Sequence, residues 1–209
     1  MNYVYTSARS GLFVVLEGID GSGKTTIANM LVEKLSELGY LAAYTYEPTN
    51  SELIGLVLTK YGDLRDPHVD ALLFALDRLL HVKTTIKPLL EKGFVVVGDR
   101  YLYSSIAYQA AYGAQLDWVM EVNKWALKPD LAIYLDVEPE IALRRKAGKQ
   151  SRFPEFEQLI FLKKVREVYL YMVSLGLLVK IDASRRLEDV YNDVEEIVLN
   201  TLRSKFISS

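Results

Sequence analysis

The 209-residue sequence predicts a three-layer α/β fold, with helices on both faces of a parallel sheet. Three observations predict it. Short apolar runs rich in β-branched residues recur along the chain, each bounded by Gly, Asp or another charged residue. Longer segments with apolar residues every three or four positions lie between those runs. Strands alternating with helices imply right-handed crossovers, and no Pro-, Gly- or Ser-rich linker separates the two halves.

The elements follow in order. Phe13–Leu16 reads as a strand buried on both faces, as a parallel sheet requires. Ile27, Leu31, Leu35 and Leu38 mark one face of the first helix, which Gly39 stops. Leu41–Tyr46, Phe94–Val97, Leu131–Leu135 and Leu178–Ile181 read as the remaining strands. Leu162, Val165, Tyr169, Met172 and Val173 form a second helical stripe, which Gly176 stops. Leu187, Val190, Val194, Ile197 and Val198 form the last. The segment Arg144–Arg152 differs: it is rich in Lys and Arg, nearly free of large apolar residues, and contains Gly148. It reads as a mobile insert over the sheet edge. Residues 1–209 therefore read as one domain with a short basic lid at about 144–155.

Composition excludes several classes. Lys plus Arg number 25 and Asp plus Glu 27, a net charge of −2, which leaves no electrostatic footprint for nucleic acid or an anionic membrane. No cysteine is present, so disulfides, thiolate metal sites and cysteine nucleophiles are absent. His68 and His81 are the only histidines, too few for a histidine-rich metal site. Met1–Ser10 is polar and lacks the apolar core of a signal peptide. No run approaches the ~18 apolar residues of a membrane span. A cytoplasmic protein is expected.

Gly18-Ile19-Asp20-Gly21-Ser22-Gly23-Lys24-Thr25 matches G-x-x-x-x-G-K-[ST] between the first strand and the first helix, the context this motif needs. Its glycines let the backbone curl so that N–H groups face an anion, and the helix N-terminus adds partial positive charge. Lys24 reaches the β- and γ-phosphates of a nucleoside triphosphate, and Thr25 ligates Mg²⁺. The motif leaves open what is done with the triphosphate. A GTPase needs N-K-x-D, and the nearest run, Asn123-Lys124-Trp125-Ala126, lacks the Asp and lies in an amphipathic helical stretch. A motor or transporter ATPase usually needs more chain or partner subunits. A small kinase needs only this loop, an acceptor pocket and a positively charged lid.

Asp99-Arg100-Tyr101 closes a strand at its C-terminal end, where ligands bind in open α/β sheets. Asp99 is placed to orient Mg²⁺ or its waters, and Arg100 to clamp a phosphate. Ser104-Ser105-Ile106-Ala107-Tyr108-Gln109 opens the next helix with hydroxyls and a tyrosine in its first turns.

Together with these runs, Leu72-Leu73-Phe74-Ala75-Leu76-Asp77-Arg78-Leu79-Leu80-His81, the lid pair Arg152-Phe153 followed by Val165–Tyr169, and Ile181-Asp182-Ala183-Ser184 stand in an order that resembles thymidylate kinase over nearly the whole chain. The resemblance implies a P-loop NTPase fold with a five-stranded parallel sheet, and the reaction ATP + dTMP → ADP + dTDP. It implies that Gly18, Asp20, Gly21, Ser22, Gly23, Lys24, Thr25 and Thr26 hold the donor phosphates, with Arg145, or its neighbour Arg144, stacked on adenine and Ala183 beside it. Phe74 would stack on thymine, Arg78 would donate to its O4, and Ser105 would contact the base. Tyr108 would reject a ribose 2′-hydroxyl, and Asp20 would meet the sugar 3′-hydroxyl. Glu47 and Arg100 complete the acceptor site, and Thr25 and Asp99 the Mg²⁺ site. Lys24, Arg100 and Arg152 are the implied catalytic residues.

Two departures from the family's pattern matter. The family's Arg-Glu-Pro-Gly is here Tyr46-Glu47-Pro48-Thr49, which shifts the phosphate grip toward Arg100. No arginine stands in the P-loop, which resembles the subtype whose lid supplies the catalytic arginine; the resemblance makes Arg152 the first candidate for an arginine finger from within the chain, with Arg144 and Lys149 next. His81 reads as a helix-packing histidine. The helix around Leu72–Val82 is apolar on more than one face, and the resemblance implies a homodimer. The open alternatives are a kinase for another nucleoside or nucleoside monophosphate and an ATP-binding regulatory module.

Overall fold

Val, Ile, Leu and Phe suit a strand covered on both faces, and the strand Leu12–Glu17 has no exposed side chain. It is β1, the middle strand of a five-stranded sheet in the computed structural model, which describes residues 11–146 and 158–207. The other strands are β2 (Ala42–Tyr46), β3 (Val95–Asp99), β4 (Leu131–Asp136) and β5 (Val179–Asp182). Their order is β2-β3-β1-β4-β5, and every pairing is parallel. β3 is buried throughout, whereas edge strand β2 is half-buried or exposed and edge strand β5 is exposed except at Ile181. The pairing Leu16↔Asp99 and Tyr46↔Asp99 sets three strand ends level, so Glu17, Asp99 and the loop after Tyr46 open on one crevice. The strand order reverses beside β1, which is where open α/β sheets bind ligands.

Nine α-helices appear among the described residues. They are α1 (Lys24–Glu37), α2 (Glu52–Lys60), α3 (Pro67–His81), α4 (Lys87–Glu91), α5 (Leu102–Tyr112), α6 (Leu116–Val122), α7 (Pro139–Lys146), α8 (Leu159–Ser174) and α9 (Leu187–Ile207). α3 starts well: Asp66 accepts from the N–H groups of His68 and Val69, and Pro67 stands at the first position. Gly39, with φ of 86°, ends α1 by donating to Ser36 O. The apolar stripes of α1, α8 and α9 cover the sheet through Ile27, Leu31, Leu35, Leu162, Val165, Met172, Val190, Val194 and Val198, all buried. No helix among the described residues is long and apolar enough to cross a membrane.

The expected periodicity overreached at two ends. Leu38 is half-exposed because it lies beyond the last turn of α1. Leu187 is exposed because it opens α9 at the rim of a cavity. The basic segment also begins differently from its expectation. Arg144, Arg145 and Lys146 form the last turn of α7, where cations complement the helix dipole. Asn123 departs as well: it is buried at the C-terminal cap of α6 rather than on a surface helix.

Candidate active site

The loop between β1 and α1 curls because glycine stands where other residues cannot. Gly21 has φ of 86°, and a Cβ there would lie 2.2 Å from the Ala142 carbonyl oxygen of α7. α7 thus leans on the loop and leaves no room for a side chain at 21. Lys24 is buried at the start of α1, and its Nζ donates to Ile19 O at 2.9 Å, the loop's own carbonyl. The Ser22 hydroxyl is buried without a hydrogen-bond partner. Thr25 Oγ1 donates to Asp99 Oδ2 at 2.5 Å, joining the first turn of α1 to the end of β3. A hydroxyl and a carboxylate so placed beside an anion cradle are hard oxygen donors. They fit a magnesium ion that takes its remaining ligands from phosphates and water.

Burial pushes the Lys24 ammonium down to about 8 from 10.5, with the neighbouring Arg100 charge acting in the same sense. The folded chain therefore holds fewer protons than the unfolded one between about pH 8 and 10.5, and this group's contribution to stability rises with pH across that window. Bound phosphates favour the ammonium, so ATP binding takes up a proton above pH 8. Affinity for ATP is expected to weaken by about tenfold per pH unit above that point. Calorimetric titration in buffers of different ionisation heat reads both effects, and a dissociation constant unchanged from pH 7 to 9.5 would refute them.

Arg100 follows β3 in the left-handed region at φ 68°. A non-glycine residue there carries strain, which recurs at functional sites. Two contacts hold the kink: Arg100 N–H donates to Leu16 O at 2.9 Å, and Tyr101 N–H to Glu17 Oε1 at 2.9 Å. Glu17 is fully buried and also accepts from the hydroxyls of Ser104 and Tyr169. Burial pushes its carboxyl up. Tyr169 is itself fixed by stacking on Tyr134 at 4.6 Å. The Arg100 guanidinium donates to Asp20, to Ser104 Oγ at 3.1 Å and to Tyr108 Oη at 3.2 Å. Lys146 Nζ donates to the other Asp20 oxygen at 2.7 Å. Arg100 above all holds the Asp20 carboxyl far below the usual carboxylate range.

The seven residues assigned to the acceptor, Asp20, Glu47, Phe74, Arg78, Arg100, Ser105 and Tyr108, all line one cavity of ≈ 100 Å³. Its charged end is Arg100 with Asp20. Its other end is α3 and α5, where Phe74 belongs to a small apolar cluster with Ile54 and Leu73. Arg78 donates through Nε to Glu47 Oε2 at 2.8 Å and through Nη2 to Ser105 Oγ at 2.9 Å. Gln109, one turn beyond Ser105, lines the same cavity with its buried Oε1 unpartnered.

A second cavity of ≈ 420 Å³ lies on the other side of the loop. Gly21, Ser22, Gly23, Thr26, Arg145 and Ala183 line it with Leu187 and Val190. Arg145 donates to the carbonyls of Ala183 and Ser184 at 2.8 and 3.1 Å, which holds the β5–α9 loop. Arg145 lines this cavity, and Arg144 is not among its lining residues. Gly18 sits at the end of β1, where a Cβ would meet Leu135 O at 2.8 Å. Arg152 and Phe153 lie outside the described residues. Arg185 and Arg186 also line the cavity and had no assigned role; nothing but their basic character marked them. Glu17, Lys146 and Asn123 were likewise missed. Only a polar residue inside or next to an apolar run could have signalled Glu17 and Asn123.

A sequence model of the thymidylate kinase family matches residues 16–194. A protein of Staphylothermus marinus named a probable thymidylate kinase is 53% identical over 196 residues, 94% of this chain and 98% of that protein. One of the same name from Pyrobaculum aerophilum is 43% identical and covers 92% of this chain and 99% of its own. Another from Pyrococcus abyssi is 44% identical, with 92% and 98% covered. The match spans the phosphate loop, both cavities and the Asp99-Arg100 corner between them, and the chain belongs to the thymidylate kinase family.

Proposed function

We propose that this chain transfers the γ-phosphoryl group of ATP to dTMP, giving ADP and dTDP. The observation that carries this reading is the acceptor cavity, which places an aromatic face, a buried guanidinium fork and an unpartnered amide oxygen at one end and the Arg100–Asp20 pair beside the phosphate loop at the other. Phe74 stacks on the base, worth roughly 0.5–1.5 kcal/mol beyond its buried area. Arg78 and Ser105 donate to the thymine O4. Gln109 Oε1 accepts from the ring N3–H, a donor that cytosine lacks. Arg100 holds the acceptor phosphate, Asp20 the 3′-hydroxyl, and the Tyr108 ring closes the 2′ side of the sugar. Glu47 acts behind Arg78 rather than on the phosphate, which leaves that grip to Arg100.

Thr25 and Asp99 would hold Mg²⁺. When bound, it neutralises charge on the β- and γ-phosphates. Lys24 and the loop N–H groups fix the donor phosphates while Arg100 fixes the attacking one, so catalysis is position and charge. The acceptor oxygen is already anionic, and no general base is needed. Arg152, which lies outside the described residues, would serve the transferring group.

Steady-state rates with ATP and a panel of monophosphates test this reading. The ratio kcat/KM for dTMP is expected to exceed that for dCMP and dGMP by at least about a hundredfold. With dUMP the loss is only about ten- to two-hundredfold, because one methyl is worth little. UMP is rejected through Tyr108. Equal use of dTMP and dGMP would refute the pocket, and turnover independent of any acceptor would favour a regulatory module.

The chain is also proposed to act as a homodimer. Leu72, Leu76 and Leu80, spaced i, i+4, i+8 on α3, are 55%, 47% and 47% exposed on the face away from Arg78. A second copy covers that stripe. Analytical ultracentrifugation at micromolar concentration is expected to show twice the chain mass, and Leu76→Lys to lower it to one; a monomeric wild type would refute the assignment.

A further inference from the structure

Behind Arg78 runs a chain of buried polar contacts that phosphoryl transfer does not use. Arg78 Nε donates to Glu47 Oε2 at 2.8 Å. The other carboxylate oxygen, Oε1, lies 3.0 Å from His81 Nδ1, and His81 Nε2 lies 2.6 Å from Thr45 Oγ1. Arg78, Glu47 and His81 are all buried. A carboxylate only accepts, so Nδ1 carries the hydrogen between His81 and Glu47. In the neutral ring Nε2 then accepts from the Thr45 hydroxyl. Both ring nitrogens and both carboxylate oxygens are thereby committed, and each side chain has one orientation that satisfies its neighbours. His81 is also the last residue of α3, immediately before a π-helical turn at Val82–Ile86, a local widening that often marks functional positions.

We propose that His81 is a positioning residue for base recognition: through Glu47 it holds the Arg78 guanidinium in the orientation that reads the base. The argument is one of degrees of freedom. The guanidinium sits on a long flexible stem and reads a base edge only if its fork is aimed. Ser105 and Asn123 take its two terminal nitrogens, and Glu47 takes Nε. Glu47 lies on the loop after β2, and its backbone N–H donates to Asp99 O at 3.1 Å. That contact anchors the loop but does not set the side chain. The His81 ring does, and Thr45 sets the ring. His81 lies outside the residues that line the acceptor cavity and acts through Glu47 alone.

This inference rests on the dTMP reading, and one experiment separates the two. Wild type, His81→Leu, His81→Asn and Thr45→Val are compared for kcat and KM with dTMP and dCMP, for KM of ATP, and for thermal unfolding. For His81→Leu, KM of dTMP is expected to rise about tenfold and the dTMP-over-dCMP ratio of kcat/KM to fall about tenfold, the scale of one lost charge-assisted contact. KM of ATP stays within about twofold, since the change does not reach the other cavity. His81→Asn puts an amide donor near the Nδ1 position and recovers most of the ratio. Thr45→Val shifts the ratio the same way by about two- to threefold, as loss of one neutral contact does.

A histidine that only packs α3 against β2 would lower the unfolding temperature and kcat for every acceptor while leaving the ratio alone. That result overturns the proposal, as does His81→Asn behaving like His81→Leu. Should His81→Leu fail to fold, Thr45→Val and His81→Asn decide, and no change of ratio in Thr45→Val overturns it. A wild type with no dTMP-dependent turnover overturns the functional reading instead.

Discussion

Lys24→Met is expected to lower kcat by about 10³-fold with little change in thermal stability. The loss follows from where the charge is needed. Lys24 Nζ is parked on the Ile19 carbonyl at 2.9 Å, inside the loop that cradles the donor phosphates. On the proposed reading the ammonium trades that carbonyl for phosphate oxygens when ATP binds, and its charge works hardest as the γ-phosphoryl group separates. Methionine keeps the apolar stem and loses only the charge. Stability is spared because burial opposes the ammonium in the folded chain, the cause that pushes its pKa down to about 8. Removing the charge removes that cost along with one hydrogen bond. Rates and unfolding curves on the same sample decide the matter. Activity within tenfold of wild type would sink the role of Lys24, and an unfolded variant would sink the claim that it serves the phosphates rather than the core.

The layered fold was legible because its inner strands are covered on both faces, and β1, β3 and β4 therefore show as unbroken apolar runs. The edge strands β2 and β5 were found by spacing and by the residues bounding them, since half of their surface is open. The phosphate loop was legible because its glycines answer a backbone demand that no other residue meets. Most of the acceptor pocket came through resemblance: Phe74 and Arg78 share a helix face at i, i+4, but spacing alone does not say that the face lines a cavity. What stayed hidden is the polar scaffolding behind the site. Asn123 meets Arg78 across 45 positions, and Lys146 meets Asp20 across 126. Asp77 accepts from Thr49 and Ser51 to pin the loop after β2. These pairings are set by the fold, and nothing in the local pattern of either partner announces the other. His81 shows the limit most clearly, since a buried histidine among leucines reads the same whether it packs or positions.

Arg100→Ala is expected to lower kcat/KM for dTMP by about 10³-fold or more, while KM of ATP changes by less than about threefold. Its guanidinium donates to Asp20, Ser104 and Tyr108 at the charged end of the acceptor cavity. With Tyr46 in place of the family's arginine, no second guanidinium precedes Glu47 to take over the phosphate. Arg100→Lys should recover little, because an ammonium cannot reproduce a fork that reaches three partners. The backbone supplies a control that separates activity from folding. Residue 100 stands at φ 68°, where any side chain with a Cβ is strained by roughly 1–2 kcal/mol relative to glycine. Arg100→Gly should therefore be as inactive as Arg100→Ala yet unfold about 2–8 °C higher, at about 2–4 °C per kcal/mol for a chain of this size. The wild type holds that strain because Glu17 and Leu16 grip the backbone on either side of the kink and leave the guanidinium lining the cavity. Should Arg100→Gly prove no more stable than Arg100→Ala, the strain is not there; should Arg100→Ala keep kcat/KM within tenfold, Arg100 does not hold the acceptor phosphate.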